Sequence, residues 1–406
     1  MSKKSILGVL GLLIVVCCSE FVLTSNRPRF PRYRQGERAE VQVERGSILG
    51  RGGEVLAEDE VMWDIHLDQY ACGERTNVWS NSRVAKLISE KLGLNLSDVE
   101  SKFDGSGNRY IPIKTTRDIK EVEDIRRFGH SLRLCIEQRI ARRYPLGRCA
   151  CHVTGCCSPS KSMAELPTGI TGVELARDED LRTGLPFQTD IEPKMQLALY
   201  QLLSNACSYT KCRYASAIIV AHRFERILAL VNYPDFDPLQ YEKASKDELC
   251  NRCIVSLECP GSMLRPLLNP YVTNVCAIAA RLSYLGFGSP SNTRCWGEIA
   301  RGRILDPELW SERYRENVLK GQGFAASTYQ IAIAYARSAN EANPITRTQS
   351  QAYYYDLEEQ SMTNTVNFLQ ATGIDKTVVL MIKRPESNVS CRKFLNELNV
   401  DDLICK

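Results

Sequence analysis

Residues 251–268 read NRCIVSLECPGSMLRPLL, and the six residues PGSMLR inside them, Pro260 to Arg265, decide how the chain is read. A serine follows Pro-Gly at the start of a segment of helical composition, with a basic residue three positions on. Residues three apart in a helix share a face, so Ser262 and Arg265 have the layout of a nucleophile with its activating base. The base position holds the wrong cation. A guanidinium is protonated at any physiological pH and has no acceptor site, so it cannot take a serine's proton. It could serve as an anchor or an oxyanion partner. The segment also admits a plainer reading, with Ser262 as a helix N-cap and Arg265 as a solvated helix residue.

Working outward, 406 residues suit two or three domains. A composition of 44% hydrophobic, 25% charged and 8% aromatic residues is that of a globular protein. The net charge of +4 is small, and no basic stripe with interleaved aromatics appears, which argues against nucleic acid as a partner. The N-terminus departs from this composition. MSKK is followed by SILGVLGLLIVVCCS, fifteen residues without a charge. This is a signal peptide or a short membrane anchor. No small-x-small cleavage pattern follows it, and Val16 makes Cys17 a poor lipoprotein site, so an uncleaved anchor over residues 5–23 is expected. Lys3 and Lys4 oppose Arg27, Arg29, Arg32, Arg34 and Arg38, and the charge rule alone leaves orientation open.

Seventeen cysteines are many, and an odd number leaves at least one thiol free in a monomer. The densest group, CACHVTGCC at 149–157, holds Cys149, Cys151, His152, Cys156 and Cys157. Its spacing is wrong for a two-by-two zinc site, and cysteine is a small, readily buried residue. No metal and no cofactor are expected here or around Cys250, Cys253 and Cys259.

The pass along the chain gives an α+β protein. Residues 45–57, RGSILGRGGEVLA, read as two strands about a Gly-Gly turn. SRVAKLISEKLGL and IKEVEDIRRF have helical periodicity. LCIEQRIARRYPLG reads as a strand ending at Pro145. GITGVELARDEDLRTG reads as one helix opened by glycine and stopped at Gly184. A new unit begins near Thr189 with TDIEPKMQLALYQLLSNAC, a helix with Asp190 as its expected cap. YASAIIVAHRFERILALVNYP is a hairpin, VTNVCAIAARLSYLGFG and AASTYQIAIAYARSAN are helices, and KTVVLMIKRP is a strand. Helices on an antiparallel sheet make this half α+β.

In this order the segments resemble the class B penicillin-binding proteins, the membrane-anchored D,D-transpeptidases of bacterial cell-wall synthesis. RGSILGRGGEVLA, RRYPLGRCACHVTG, GITGVELARDEDLRTG, TDIEPKMQLALYQLL, ASAIIVAHRFERILALVNYPDFDP, NRCIVSLECPGSMLRPL and GQGFAASTYQIAIAYARSAN each resemble a family segment. The resemblance implies a membrane anchor at 1–26, a strand-rich non-catalytic pedestal or dimerisation module at 27–188, and a shortened transpeptidase-like domain at 189–406. It also implies a single-pass protein of the bacterial inner membrane with its body in the periplasm. Peptidoglycan peptides or β-lactams would be its ligands, and a polytopic glycosyltransferase of the division or elongation complex its partner.

The family's chemistry is acyl transfer through a serine. The resemblance places Ser262 at the nucleophile, Arg265 at the lysine base and Asn274 at the asparagine of a Ser-x-Asn motif whose hydroxyl position holds Val272. Eleven residues separate Ser262 from Asn274, much less than in the family. A Lys-Thr-Gly motif is not found; DKTVV at 375–379 lacks the glycine and reads as the strand that follows it. Two functions remain open: a degenerate member acting as a scaffold or binding module, and a working D,D-transpeptidase using acyl-Ser262 with an unusual base.

Overall fold

A computed structural model describes residues 44–68, 81–103, 110–158, 166–268, 274–288, 292–293, 296–298, 300–341, 365–372 and 375–384. All fall within Val43–Lys406, which forms one compact unit. The expected single-pass placement in a bacterial inner membrane is overturned: among the described residues no helix is long and apolar enough to cross a membrane. The apolar run at 5–23 that carried the expectation lies outside the described residues.

The N-terminal half is organised by a 14-residue strand. The hairpin expected at 45–57 is present, with its first strand, β1 (Ile48–Leu49), cut to two residues before β2 (Val55–Asp68). Gly53 makes the reversal at φ 89°, a left-handed value glycine adopts without cost. Strands β3 (Tyr110–Thr116) and β4 (Leu134–Arg143) both pair antiparallel with β2, and β5 (Phe187–Gln188) pairs parallel with β1. Alternation sends Ile65 and Leu67 of β2 to one face, where Ile111, Ile113 and Leu134 join them. Helix α1 (Asn81–Leu92) covers that face with Val84, Ala85, Ile88 and Leu92, spaced as one helical stripe. Helix α2 (Ile119–Phe128), capped by Asp118, adds Ile125. Each buried aliphatic side chain contributes about 1.5–3 kcal/mol.

The segment GITGVELARDEDLRTG is not one helix. It breaks at Arg177 (φ −123°, ψ 23°) into Gly172–Ala176 and Asp178–Arg182. At the break, Asp178 accepts the Gly169 N–H and pairs with Arg45.

The C-terminal half is built on a four-stranded antiparallel sheet in the order β10-β11-β6-β7: β6 is Tyr214–Ala221, β7 Arg226–Tyr233, β10 Thr365–Thr372 and β11 Lys376–Arg384. A two-stranded ribbon, β8 (Asn292–Thr293) and β9 (Gly297–Glu298), stands apart from it. Helix α3 (Pro193–Thr210) covers one face through Leu199, Leu203 and Ala206 against Ile219, Leu228 and Leu380. Its expected cap is corrected: Glu192 is the N-cap and makes no side-chain cap bond, while Asp190 pairs with Arg226 at 3.4 Å. Helices α4 (Val275–Leu285), α5 (Glu312–Leu319) and α6 (Thr328–Ala339) lie on the other side. Helix α6 is buried almost all round, so its Ala-rich sequence lets it press against Ile218, Val379 and Met381. The α+β architecture read from the sequence is the one observed.

Candidate functional site

Residues Gly261–Leu264 form a 3₁₀ turn that runs into one α-helical turn, Arg265–Leu268. Ser262 is the second residue of the 3₁₀ turn, inside it rather than at the N-cap. The turn is fixed from two sides. Gly261 has φ 59° and donates its N–H to the Gly321 carbonyl at 3.0 Å. Gly321 has φ 71°, and a Cβ there would lie 1.8 Å from the Gly261 carbonyl oxygen, so only glycine fits. The fully buried Tyr335 of α6 donates its hydroxyl to the Met263 carbonyl at 2.6 Å. Met263, Leu264, Leu267 and Leu268 fill the core beneath. The Pro-Gly-Ser turn, the Gly-Gln-Gly loop and α6 are therefore one rigid piece.

The three residues named from the sequence are placed as follows. Arg265 is exposed and has no ion-pair partner among the described residues. Asn274 is the N-cap of α4, its side chain accepting the Ala277 N–H at 2.9 Å. Val272 lies outside the described residues, as do the others in 269–273. Lys376 and Thr377 sit on an interior strand between β10 and β6, and the Thr377 hydroxyl bonds His222 Nε2 at 2.9 Å. That placement agrees with reading DKTVV as framework strand.

A cluster the sequence reading missed lies just before the serine turn. Glu258 accepts from the Tyr214 hydroxyl at 2.6 Å and from Lys383 Nζ at 3.0 Å. Burial, then the bond to Glu258, push the Tyr214 hydroxyl up. Burial works against the charge of Lys383, but its bonds to Tyr214 and Glu258 outweigh that and hold it above its ordinary value. This lysine is a fixed cation and no substitute for a neutral base.

In the N-terminal half, residues from three family-like segments converge on one buried ion network. Glu174 is fully buried between Arg45 and Arg142, each Nε bonding one carboxylate oxygen at 2.7 Å. Arg142 also pairs with Asp59 at 3.0 Å and Arg45 with Asp178 at 2.7 Å. The remaining guanidinium N–H groups donate to the carbonyls of Gly46, Pro167 and Glu174. Three carboxylates face two guanidinium groups, and each ion has an opposite charge and hydrogen bonds, the condition under which buried ions are tolerated.

The cysteine group packs as apolar filler, with Cys149, Cys151, Cys156 and Cys157 all buried. Burial pushes the Cys149 and Cys151 thiols up to about 12. Beside them, His152 is buried and its Nε2 donates to the Glu248 carbonyl at 2.7 Å, which fixes the proton on that nitrogen. A pocket of about 310 Å³ opens next to His152, lined by Leu175, Leu249, Asn251, Ile254 and Trp296 among others. None of Ser262, Arg265 and Asn274 lines it.

Residues 40–184 match the family described as Penicillin-binding Protein dimerisation domain. The chain is 22% identical over 247 residues to the probable peptidoglycan D,D-transpeptidase PenA of Neisseria meningitidis, covering 55% of this chain and 42% of that one. It is also 22% identical over 253 residues to the peptidoglycan D,D-transpeptidase FtsI of Escherichia coli, covering 56% and 42%. The chain is class B penicillin-binding-protein-like. It spans less than half the length of these curated relatives. Its fold is that of the penicillin binding protein 2X of Streptococcus thermophilus, with TM-score 0.60 at 15% identity over 88% of this chain and 78% of that one. A peptidoglycan synthetase from Bifidobacterium adolescentis aligns with TM-score 0.56 at 13% identity, over 89% and 95%.

Proposed function

We propose that this penicillin-binding-protein-like chain serves bacterial cell-wall peptidoglycan synthesis as a binding or scaffold module whose D,D-transpeptidase activity is lost or weakened. The observation that carries this reading is the exposure of Arg265. A lysine works as a serine's base only when neutral, and burial is what makes it neutral. The side chain at 265 faces water, so even a lysine placed there would stay charged. Loss of a positioned base costs roughly 10²–10⁴-fold, and members of one catalytic unit fail together. The hydroxyl of the second motif and the glycine of the third are absent from the sequence as well. In this reading the N-terminal half, which carries the dimerisation-domain match, is the face offered to proteins of the synthesis machinery, a polytopic glycosyltransferase among them.

The retained Pro-Gly-Ser turn, held by Gly321 and Tyr335, favours the second reading, a transpeptidase acting through acyl-Ser262. Labelling of the purified full chain with a fluorescent penicillin separates the two. The expected result is no detectable adduct, in the natural protein and in Arg265→Lys alike. Robust labelling of the natural protein that vanishes in Ser262→Ala would overturn the proposal.

A further inference from the structure

The pocket beside His152 lies apart from the serine turn, and its walls share one chemistry. His152, Thr171 and Leu175 of the N-terminal half form one side, and Leu249, Ile254 and Trp296 of the C-terminal half the other. Among the described residues, none lining it carries a carboxylate, an ammonium or a guanidinium. Burial lowers His152 to about 4, so the wall is neutral at pH 7. The polar side chains of the wall are each bonded to another part of the protein. His152 donates through Nε2 to the Glu248 carbonyl, and its Nδ1 lies 3.3 Å from the Cys151 sulfur. Asn251 accepts from Asn232 at 3.0 Å and donates to the His152 carbonyl at 3.3 Å. The Thr171 hydroxyl meets the Cys156 sulfur at 3.5 Å, and Trp296 Nε1 donates to the Val153 carbonyl at 3.2 Å.

We infer that this pocket is a binding site for a small, neutral aromatic compound of two fused rings, held against Trp296. Volume sets the size. A cavity of ~150 Å³ lined by aliphatic and aromatic side chains holds one benzene ring, and this pocket offers about 310 Å³. The walls set the charge. An ion entering here gives up its hydration and meets no opposite charge, whereas a neutral ring system gains apolar burial and an aromatic contact with the indole. Leu175, 55% exposed, and the exposed Ala176 stand at the mouth and leave it open to a ligand from solvent. Exclusion of anions also separates this site from any penicillin site, since a penicillin carries a carboxylate.

A matched pair of probes tests size and charge together: 2-naphthol, neutral at pH 7, and naphthalene-2-sulfonate, the same two rings carrying an anion. Both are titrated into the purified full chain by isothermal calorimetry. The expected result is one 2-naphthol site per chain with a dissociation constant on the order of 0.1 mM, and binding of the sulfonate at least about tenfold weaker. Ala176→Trp fills the mouth from an exposed position and should weaken 2-naphthol about tenfold or more. Trp296→Leu removes the aromatic wall while keeping apolar bulk, and should weaken it as well. Leu309→Ala trims an exposed leucine that does not line the pocket and should change nothing. Far-UV circular dichroism confirms that each variant is folded, and 2-naphthol should raise the melting temperature of the natural protein. Absence of saturable 2-naphthol binding, equal binding of the sulfonate, or unchanged binding in whichever of Ala176→Trp and Trp296→Leu is folded overturns the inference.

Discussion

Replacing Glu174 with alanine removes the shared carboxylate of the buried network and leaves Arg45 and Arg142 facing each other with one acid fewer. Both guanidinium groups stay buried, with side-chain exposures of 0% and 4%. Each keeps a second acid, Asp178 for Arg45 and Asp59 for Arg142. Removing one partner of a buried pair costs about 3–5 kcal/mol, because the partner's charge is left uncompensated where water cannot reach it. Each arginine keeps its second acid, which favours the lower end of that range, about 3 kcal/mol. With a urea slope of about 2–3 kcal/mol per molar, the midpoint should fall by about 1–1.5 M in a far-UV circular dichroism titration. Two controls give the number its meaning. Asp124→Ala breaks an exposed pair with Arg127, at 65% and 76% exposure, and should lower stability by no more than about 0.5 kcal/mol. One molar salt should erase that small effect and leave the Glu174 loss, since buried pairs are little screened. If Glu174→Ala costs no more than Asp124→Ala, or salt abolishes its effect, the network is not what joins these segments.

Gly321→Ala should destabilise the protein much more than Gly53→Ala. Gly53 meets nothing within 4 Å and incurs only the left-handed strain of about 1–2 kcal/mol, whereas Gly321 adds a backbone collision with the serine turn; equal urea midpoints would refute that reading of the turn. His152 should make stability fall with acid. Burial lowers it from 6.5 to about 4, so above pH 6.5 neither folded nor unfolded state is charged and the residue is silent. Between pH 6.5 and about 4 the unfolded state alone takes the proton, and stability drops toward a full loss of about 3 kcal/mol. His152→Gln should flatten that part of the profile, and an unchanged profile would sink the assignment.

Local structure was legible where side-chain period and turn residues agreed. The alternation before Pro145 gave β4, and the Ser327 capping box opened α6 where AASTYQIAIAYARSAN began to read as a helix. Legibility stopped where partners were distant or strain was local. Nothing near Glu174 in sequence announces Arg45, 129 positions away, so the segments were readable one by one while their meeting point was not. The break at Arg177 was missed for a related reason: composition there is helical, and the bonds of Asp178 to Gly169 and Arg45 override it. Asp190 looked like a cap because of its position before Pro193, but Arg226, brought alongside by the hairpin, is the partner it takes. The Pro-Gly-Ser segment singled out in the sequence is a 3₁₀ turn at Gly261–Leu264. It gave no sign that Tyr335 ties that turn to α6, since a tyrosine in an Ala-rich helix reads only as core.

The residues that match the family-like segments and the residues that depart from them answer to different physical demands. Arg45 and Arg142 are neutralised by Glu174 together with Asp178 and Asp59. Gly261 and Gly321 leave no room for a side chain at their contact, Tyr335 bonds the serine turn, and Asn274 caps α4. Each of these could be retained for folding alone, so their presence argues for the fold and is silent on acyl transfer. Position 265 is the opposite case. It is exposed, so packing places no demand on which residue fills it, a base included. The residue found is the one common cation that cannot act as one. In the proposed scaffold role the packed positions serve the fold, and position 265, which packing leaves free, need carry no base.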